Sequence, residues 1–215
     1  MKPYNAILDN LEDWIRSGNL EAAQKSIDEI TKRRVPRNLA KSFANVARRI
    51  GYHRTALRIL NPIIRSAKPI FPPPQPEEKL EYAITLARCG LITEANEILN
   101  QEDVKTLSDS ALYQAFVLFS GWDFAAAIPF LEKYISNQKN DYQNLVGRVN
   151  LALAYSAERK NASAEKLMTQ LLHETMSQNH FLLHGNVLEM FAMFCIEKGE
   201  FKKAHELILR AKKYR

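Results

Sequence analysis

The sequence predicts an all-α fold: a right-handed superhelix, or α-solenoid, of about six antiparallel helix-turn-helix repeats. Three observations predict it. First, one short pattern recurs along the 215 residues, at 18–30, 51–63, 90–102, 122–134, 159–171 and 199–211. Second, every copy places alanine five residues after its start, at Ala23, Ala56, Ala95, Ala127, Ala164 and Ala204. Four residues further on stands Ile27, Leu60, Leu99, Leu131, Met168 or Ile208. Third, each copy is preceded by a stretch with its own helical spacing. Ala40, Phe43, Ala44 and Ala47 form one such stripe, and Leu151, Ala152 and Tyr155 another. Apolar residues at i, i+3, i+4 and i+7 mark an amphipathic helix.

Each repeat is therefore a helix A, a tight turn and a helix B. The repeats are expected at about 4–35, 37–68, 76–107, 108–140, 145–178 and 185–215, forming a single array over 1–215. Glycine opens the pattern in four copies, at Gly18, Gly51, Gly90 and Gly199, where a tight turn needs positive φ. Trp122 and Arg159 open the other two. The recurrent alanine lets two helices approach closely. One hairpin cannot bury its apolar face, whereas a stack can. Three proline features punctuate the array. The run "KPIFPPPQPEE" at 68–78 excludes helix and predicts an extended loop between the second and third repeats. Pro62, inside a helix B, predicts a kink or an early end, and Pro129 falls near the start of its helix, where it is tolerated.

Composition narrows the function classes. Hydrophobic residues make up 46% and charged residues 25%, as in an ordinary folded protein. No apolar run approaches the about 18 residues that span a membrane. The start, "MKPYNAILDNLEDWIRSG", lacks the apolar core of a secretory signal. Cys89 and Cys195 have no CxxC spacing and are expected as buried free thiols in a reducing, cytoplasmic setting. No phosphate-binding glycine loop, dinucleotide fingerprint or nucleophile elbow occurs. His180 and His184 of "HFLLH", with His173, are the best metal candidates, but no HExxH pattern accompanies them and they fit a repeat corner or helix start better. The "NAS" sequon at 161–163 carries no meaning in a cytoplasmic chain. The expectation is no enzyme, no cofactor and no metal.

Charge is unevenly placed. Residues 1–70 hold 14 Lys/Arg against 6 Asp/Glu, a net of +8, whereas 71–215 hold 16 against 18, a net of −2. Between 31 and 70 there are eleven bases and no acid. Any electrostatic steering should act at that end.

The six copies together resemble the tetratricopeptide repeat (TPR) family. "WDFAAAIPFLEKYI" reads close to the family pattern, with Trp122 where glycine usually stands. The resemblance covers roughly residues 4–212. It implies that helix A side chains line a concave groove and touch partners there. Placed at 100° per residue, Arg37, Asn38, Lys41, Asn45 and Arg48 form one inward stripe, a basic groove for an acidic ligand. Arg54, Arg58 and Arg65 share an outward stripe. Lys41 and Asn45 resemble the first pair of the family's carboxylate clamp, but Glu81 stands where that clamp needs asparagine. Further along, Leu112, Phe116, Phe119, Val149, Leu153 and Met193 form an apolar groove, joined by Glu189 and Ile196. Three accounts of it stay open: an amphipathic peptide, a second copy, or core residues misplaced by the angular reading.

The expected function is a non-catalytic scaffold or adaptor that holds a protein or peptide partner, with a homodimer as a further option. The alternative is a nucleic-acid-associated or transcription-regulatory protein, its basic third contacting phosphates or the chain serving as sensor half of a longer regulator. Scarce aromatics for base stacking and the divided basic faces weigh against it.

Overall fold

The computed structural model describes residues 4–16, 19–33, 35–68 and 72–214, with only the backbone of Arg16. Gly18, Arg34 and residues 69–71 of the proline-rich segment lie outside these. The described chain is helical throughout, and it divides into two compact units, residues 1–120 and 121–215.

The first unit contains α1 (Tyr4–Arg16), α2 (Leu20–Thr31), α3 (Arg37–Arg49), α4 (His53–Ile64), α5 (Pro76–Arg88), α6 (Ile92–Leu99), α7 (Glu102–Lys105) and α8 (Ser110–Ser120). Successive helices pack as antiparallel hairpins, α1 on α2, α3 on α4 and α5 on α6. The second unit contains α9 (Phe124–Asn137), α10 (Asp141–Ala157), α11 (Asn161–Ser177), α12 (Phe181–Glu197) and α13 (Phe201–Ala211), closed by a 3-10 turn at Lys212–Tyr214. Here α9 packs on α10, α10 on α11, α11 on α12 and α12 on α13.

The recurring alanines are buried in both units, because only a methyl group fits between helices this close. Around them the first core gathers Leu11, Ile27, Phe43, Leu60 and Leu99, and the second gathers Met168, Leu171, Val187 and Leu188. Gly147 of α10 shows how tight the second unit is. A Cβ there would stand 2.8 Å from both Ile135 and Tyr134.

The turns share one device. After α3, the N–H of Tyr52 donates to the carbonyl of Ala47 (2.7 Å), reaching across Gly51 at φ 86°. Leu91 donates to Leu86 across Gly90, and Glu200 to Cys195 across Gly199, in the same way. This six-to-one bond satisfies a carbonyl that the ending helix leaves open, and it needs a left-handed residue in between. Trp122 (φ 60°) and Arg159 (φ 54°) occupy that region without being glycine, and so does Asn179 (φ 59°) between α11 and α12. Side-chain caps start the next helices: Asn19, Asp123 and Asn140 accept from the N–H groups of Ala22, Ala126 and Gln143.

One expectation is narrowed and two are corrected. Helix α4 runs through Pro62 and stops two residues later at Ile64, so the proline sits in the last turn, and its effect there is an early end. The helix B read across 90–102 breaks after Leu99. Gln101 takes an extended backbone (φ −65°, ψ 139°), and the separate short helix α7 follows. Cys195 is buried, and its burial pushes the thiol pKa up, but Cys89 is exposed because it caps the end of α5.

Candidate functional site

In the first unit the A helices α1, α3 and α5, with the approach to α8, enclose a groove of about 550 Å³. The predicted basic stripe of α3 lies along this side, but its cations are largely committed. The Arg37 guanidinium donates to Glu78 (3.1 Å) and to the carbonyls of Pro72 and Pro73, which pins the proline-rich loop to the start of α3. Glu78 also accepts from the N–H of Gln75 (2.8 Å), closing the first turn of α5. Asn45 Nδ2 donates to Glu81 (2.9 Å), and Arg48 Nε donates to the same carboxylate at 2.6 Å. Arg48 further reaches the Tyr113 hydroxyl (3.3 Å) and lies over its ring, 5.6 Å from the centroid.

The electrostatics follow from this geometry. Burial works against the charge of Arg48, but the Glu81 carboxylate overrides it and raises the guanidinium pKa. Burial, with the nearby Glu81 charge, pushes the Tyr113 hydroxyl far above its ordinary value, so it stays a neutral phenol. Glu81, the residue that departs from the clamp pattern, is the one that occupies Asn45. Arg37, Asn45 and Arg48 are therefore structural donors, and Asn38 and Lys41 remain exposed.

The groove carries the opposite sign from the one expected. Asp9, Glu12, Glu77, Glu81 and Asp109 line it, with Lys41 as the sole cation among the lining residues. Glu12 pairs with Arg49 (2.7 Å), whereas Asp9, Glu77 and Asp109 have no ion pair among the described residues. Sequence reasoning missed these acids because they come from three segments, each unremarkable alone. Elsewhere in the basic run, Arg65 is paired with Glu94, leaving Arg54 and Arg58 exposed on α4. The run offers no continuous track for phosphates.

The six apolar groove residues divide between the units. In the first, Leu112 is buried and is not a surface residue. Phe116 is half-buried against the core, under the Arg88 guanidinium (5.6 Å) and beside Tyr113 and Phe119. In the second, Val149 is half-buried on α10, while Leu153 on the same helix and Met193 and Ile196 on α12 are exposed, Met193 by 59%. Of the histidines, His184 is buried with Nδ1 on the Thr175 hydroxyl (3.0 Å), His180 precedes α12 with its ring on Tyr142, and His173 is exposed. No cluster of three or more His, Cys, Asp or Glu side chains suited to a metal ion occurs among the described residues, and no described helix is long and apolar enough to cross a membrane.

No protein-family model matches the sequence, and no curated protein matches it. Solved structures do match. The nearly identical TPR-like repeats of a candidate kinesin light chain from Podosopora anserina superpose with a TM-score of 0.59. MamA from Desulfovibrio magneticus RS-1 superposes with 0.55. Each is 18% identical, and each match covers 82% of this chain and 93% of the other. The fold is that of TPR-like repeats. The likeness is one of fold, and the TPR-like helical hairpins predicted from the six-fold pattern are present.

Proposed function

We propose that the chain is a non-catalytic interaction module that holds a protein partner against its A helices, with the first-unit groove taking an extended segment that carries lysine or arginine. The carboxylate lining of that groove is the observation that supports this reading. Asp9, Glu77 and Asp109 face it without ion-pair partners among the described residues, and Lys41 is the one cation among the described lining residues. A cationic side chain entering there gains charge-assisted hydrogen bonds worth about 1.5–3 kcal/mol each. The acidic ligand expected from the sequence would meet like charge instead. The exposed Leu153, Met193 and Ile196 add a second, apolar contact surface on the A helices of the second unit, with methionine as an adaptable contact.

Fluorescence anisotropy tests this with three labelled peptides of equal length and apolar content, one basic, one neutral and one acidic. The basic peptide should bind most tightly, and binding should weaken as salt rises. Asp9→Lys/Glu77→Lys/Asp109→Lys should remove it and favour the acidic peptide. Equal affinity for all three peptides, or preference of the native chain for the acidic one, overturns the reading.

A further inference from the structure

A second cavity of the first unit has the opposite charge from the acidic groove. It is a cleft of about 660 Å³ walled by the end of α2, the start of α3 and the second half of α4, and it shares no described lining residue with that groove. Its floor is apolar. Ala40 and Ile63 are buried there, and Val35, Pro36 and Ile59 are half-buried.

The cleft is also basic. Arg33, Arg37 and Arg58 line it, and no acid does so among the described residues. The sequence explains the imbalance, because every described lining residue falls within the acid-free stretch of 31–70. The three arginines are not equivalent. Arg37 is engaged by the Glu78 carboxylate and the carbonyls of Pro72 and Pro73, so its charge is already matched. Arg58 is exposed and has no ion pair among the described residues. The remaining lining therefore sets two guanidiniums, Arg58 and Arg33, against no carboxylate.

We propose that this cleft binds a small organic phosphate monoester, with its apolar body on the floor and its phosphate on Arg58 and Arg33. A phosphate monoester carries a charge of about −1.5 to −2 at neutral pH and offers three acceptor oxygens, which suits two planar guanidinium forks. A monocarboxylate brings half that charge. Pockets for small ligands run to about 300–1,000 Å³, with apolar walls and a few polar groups that fix orientation, and this cleft has that size and that division. A body of this size covers the floor by itself, without a flanking peptide chain. The site is independent of the reading that places a basic segment in the acidic groove.

Isothermal titration calorimetry on the full chain tests it, with phenyl phosphate, inorganic phosphate and phenol as probes. Phenyl phosphate should bind at least about tenfold more tightly than either of the other two, since it alone meets both the floor and the arginines. Arg58→Glu should weaken it by about tenfold or more with helicity unchanged. Should that variant lose helicity, Arg58→Gln replaces it. Arg54→Glu makes the same charge change at an exposed position one turn earlier on α4, outside the cleft, and should leave affinity within about twofold. Equal losses in the two variants would mark a diffuse attraction to the basic end and overturn the site. So would inorganic phosphate that binds as tightly as phenyl phosphate, or an absence of phenyl phosphate binding at millimolar concentration. A phosphotyrosine peptide that binds more tightly than phenyl phosphate, by a margin that Arg58→Glu removes, would assign the cleft to a protein partner and overturn the small ligand.

Discussion

Arg159 sits in a left-handed backbone conformation at φ 54°, at the turn position where four other copies of the repeat carry glycine. A non-glycine residue there stores about 1–2 kcal/mol of steric strain. Glycine would release that strain and give back about 0.5–1 kcal/mol through the greater freedom of the unfolded chain. Arg159→Gly is therefore expected to stabilise slightly. Gly51→Ala should destabilise by about 1 kcal/mol, and because nothing lies within 4 Å of the added Cβ, that cost is backbone strain alone. Urea midpoints for the two variants should move in opposite directions. Movement of both the same way would mean that something other than the backbone governs these turns. Trp122 and Arg159 were legible as turn residues because the repeat pattern aligns them with glycine. Asn179 was not, since the pattern is anchored on turns inside a repeat and Asn179 lies at a turn between repeats.

Helices α3, α5 and α8 are tied by one buried group. Glu81 accepts from Asn45 and Arg48, and Arg48 continues to Tyr113. A buried ion pair contributes little net stability, because desolvation offsets the attraction. Removing one partner is different, since it strands a charge. Arg48→Met should cost about 3–5 kcal/mol by leaving Glu81 uncompensated, whereas Arg48→Met/Glu81→Leu should recover most of that loss. A double-mutant cycle from denaturant unfolding measures the coupling. Additive losses would show that the pair is independent of its partners. The angular reading placed Arg48 and Asn45 on the A-helix side, which is where they lie. It gave them to a ligand because Glu81 is 33 residues from Arg48, and a stripe on one helix says nothing about what the neighbouring helix contributes. The same gap hid the acids of the groove. A helix wheel fixes a direction and leaves open whether the space in that direction is empty.

The six-fold pattern made the fold readable across the whole chain, because burial repeats with it. Polar burial does not repeat, and each unit keeps one histidine that no repeat rule foretells. In the first unit, His53 has Nδ1 buried without a hydrogen-bond partner among the described residues. Burial and then Arg88 and Arg48 lower its pKa. In the second, Thr175 donates its hydroxyl to Leu171 (2.6 Å), so its oxygen accepts from His184 Nδ1 and leaves the buried Nε2 without a proton or partner. Burial, and then Arg210, lower the His184 pKa below 6.5. Thr175, the backbone of Leu172, which works the other way, Arg210 and the ring of Tyr214 at 4.9 Å are among the groups that face it. A lowered histidine is neutral in the fold, while the unfolded chain still takes the proton. Stability is then full above about pH 6.5 and falls as pH drops through that value toward the folded pKa. The carboxylates held low by lysine or arginine, Asp103, Glu165, Glu174 and Glu200, titrate in the unfolded chain near 4 and act in a lower window. Urea midpoints between pH 5 and 8 should therefore decline toward the acid side, and His184→Leu should flatten part of that decline. An unchanged slope in the variant would assign the whole effect to His53 and remove His184 as a determinant of acid stability.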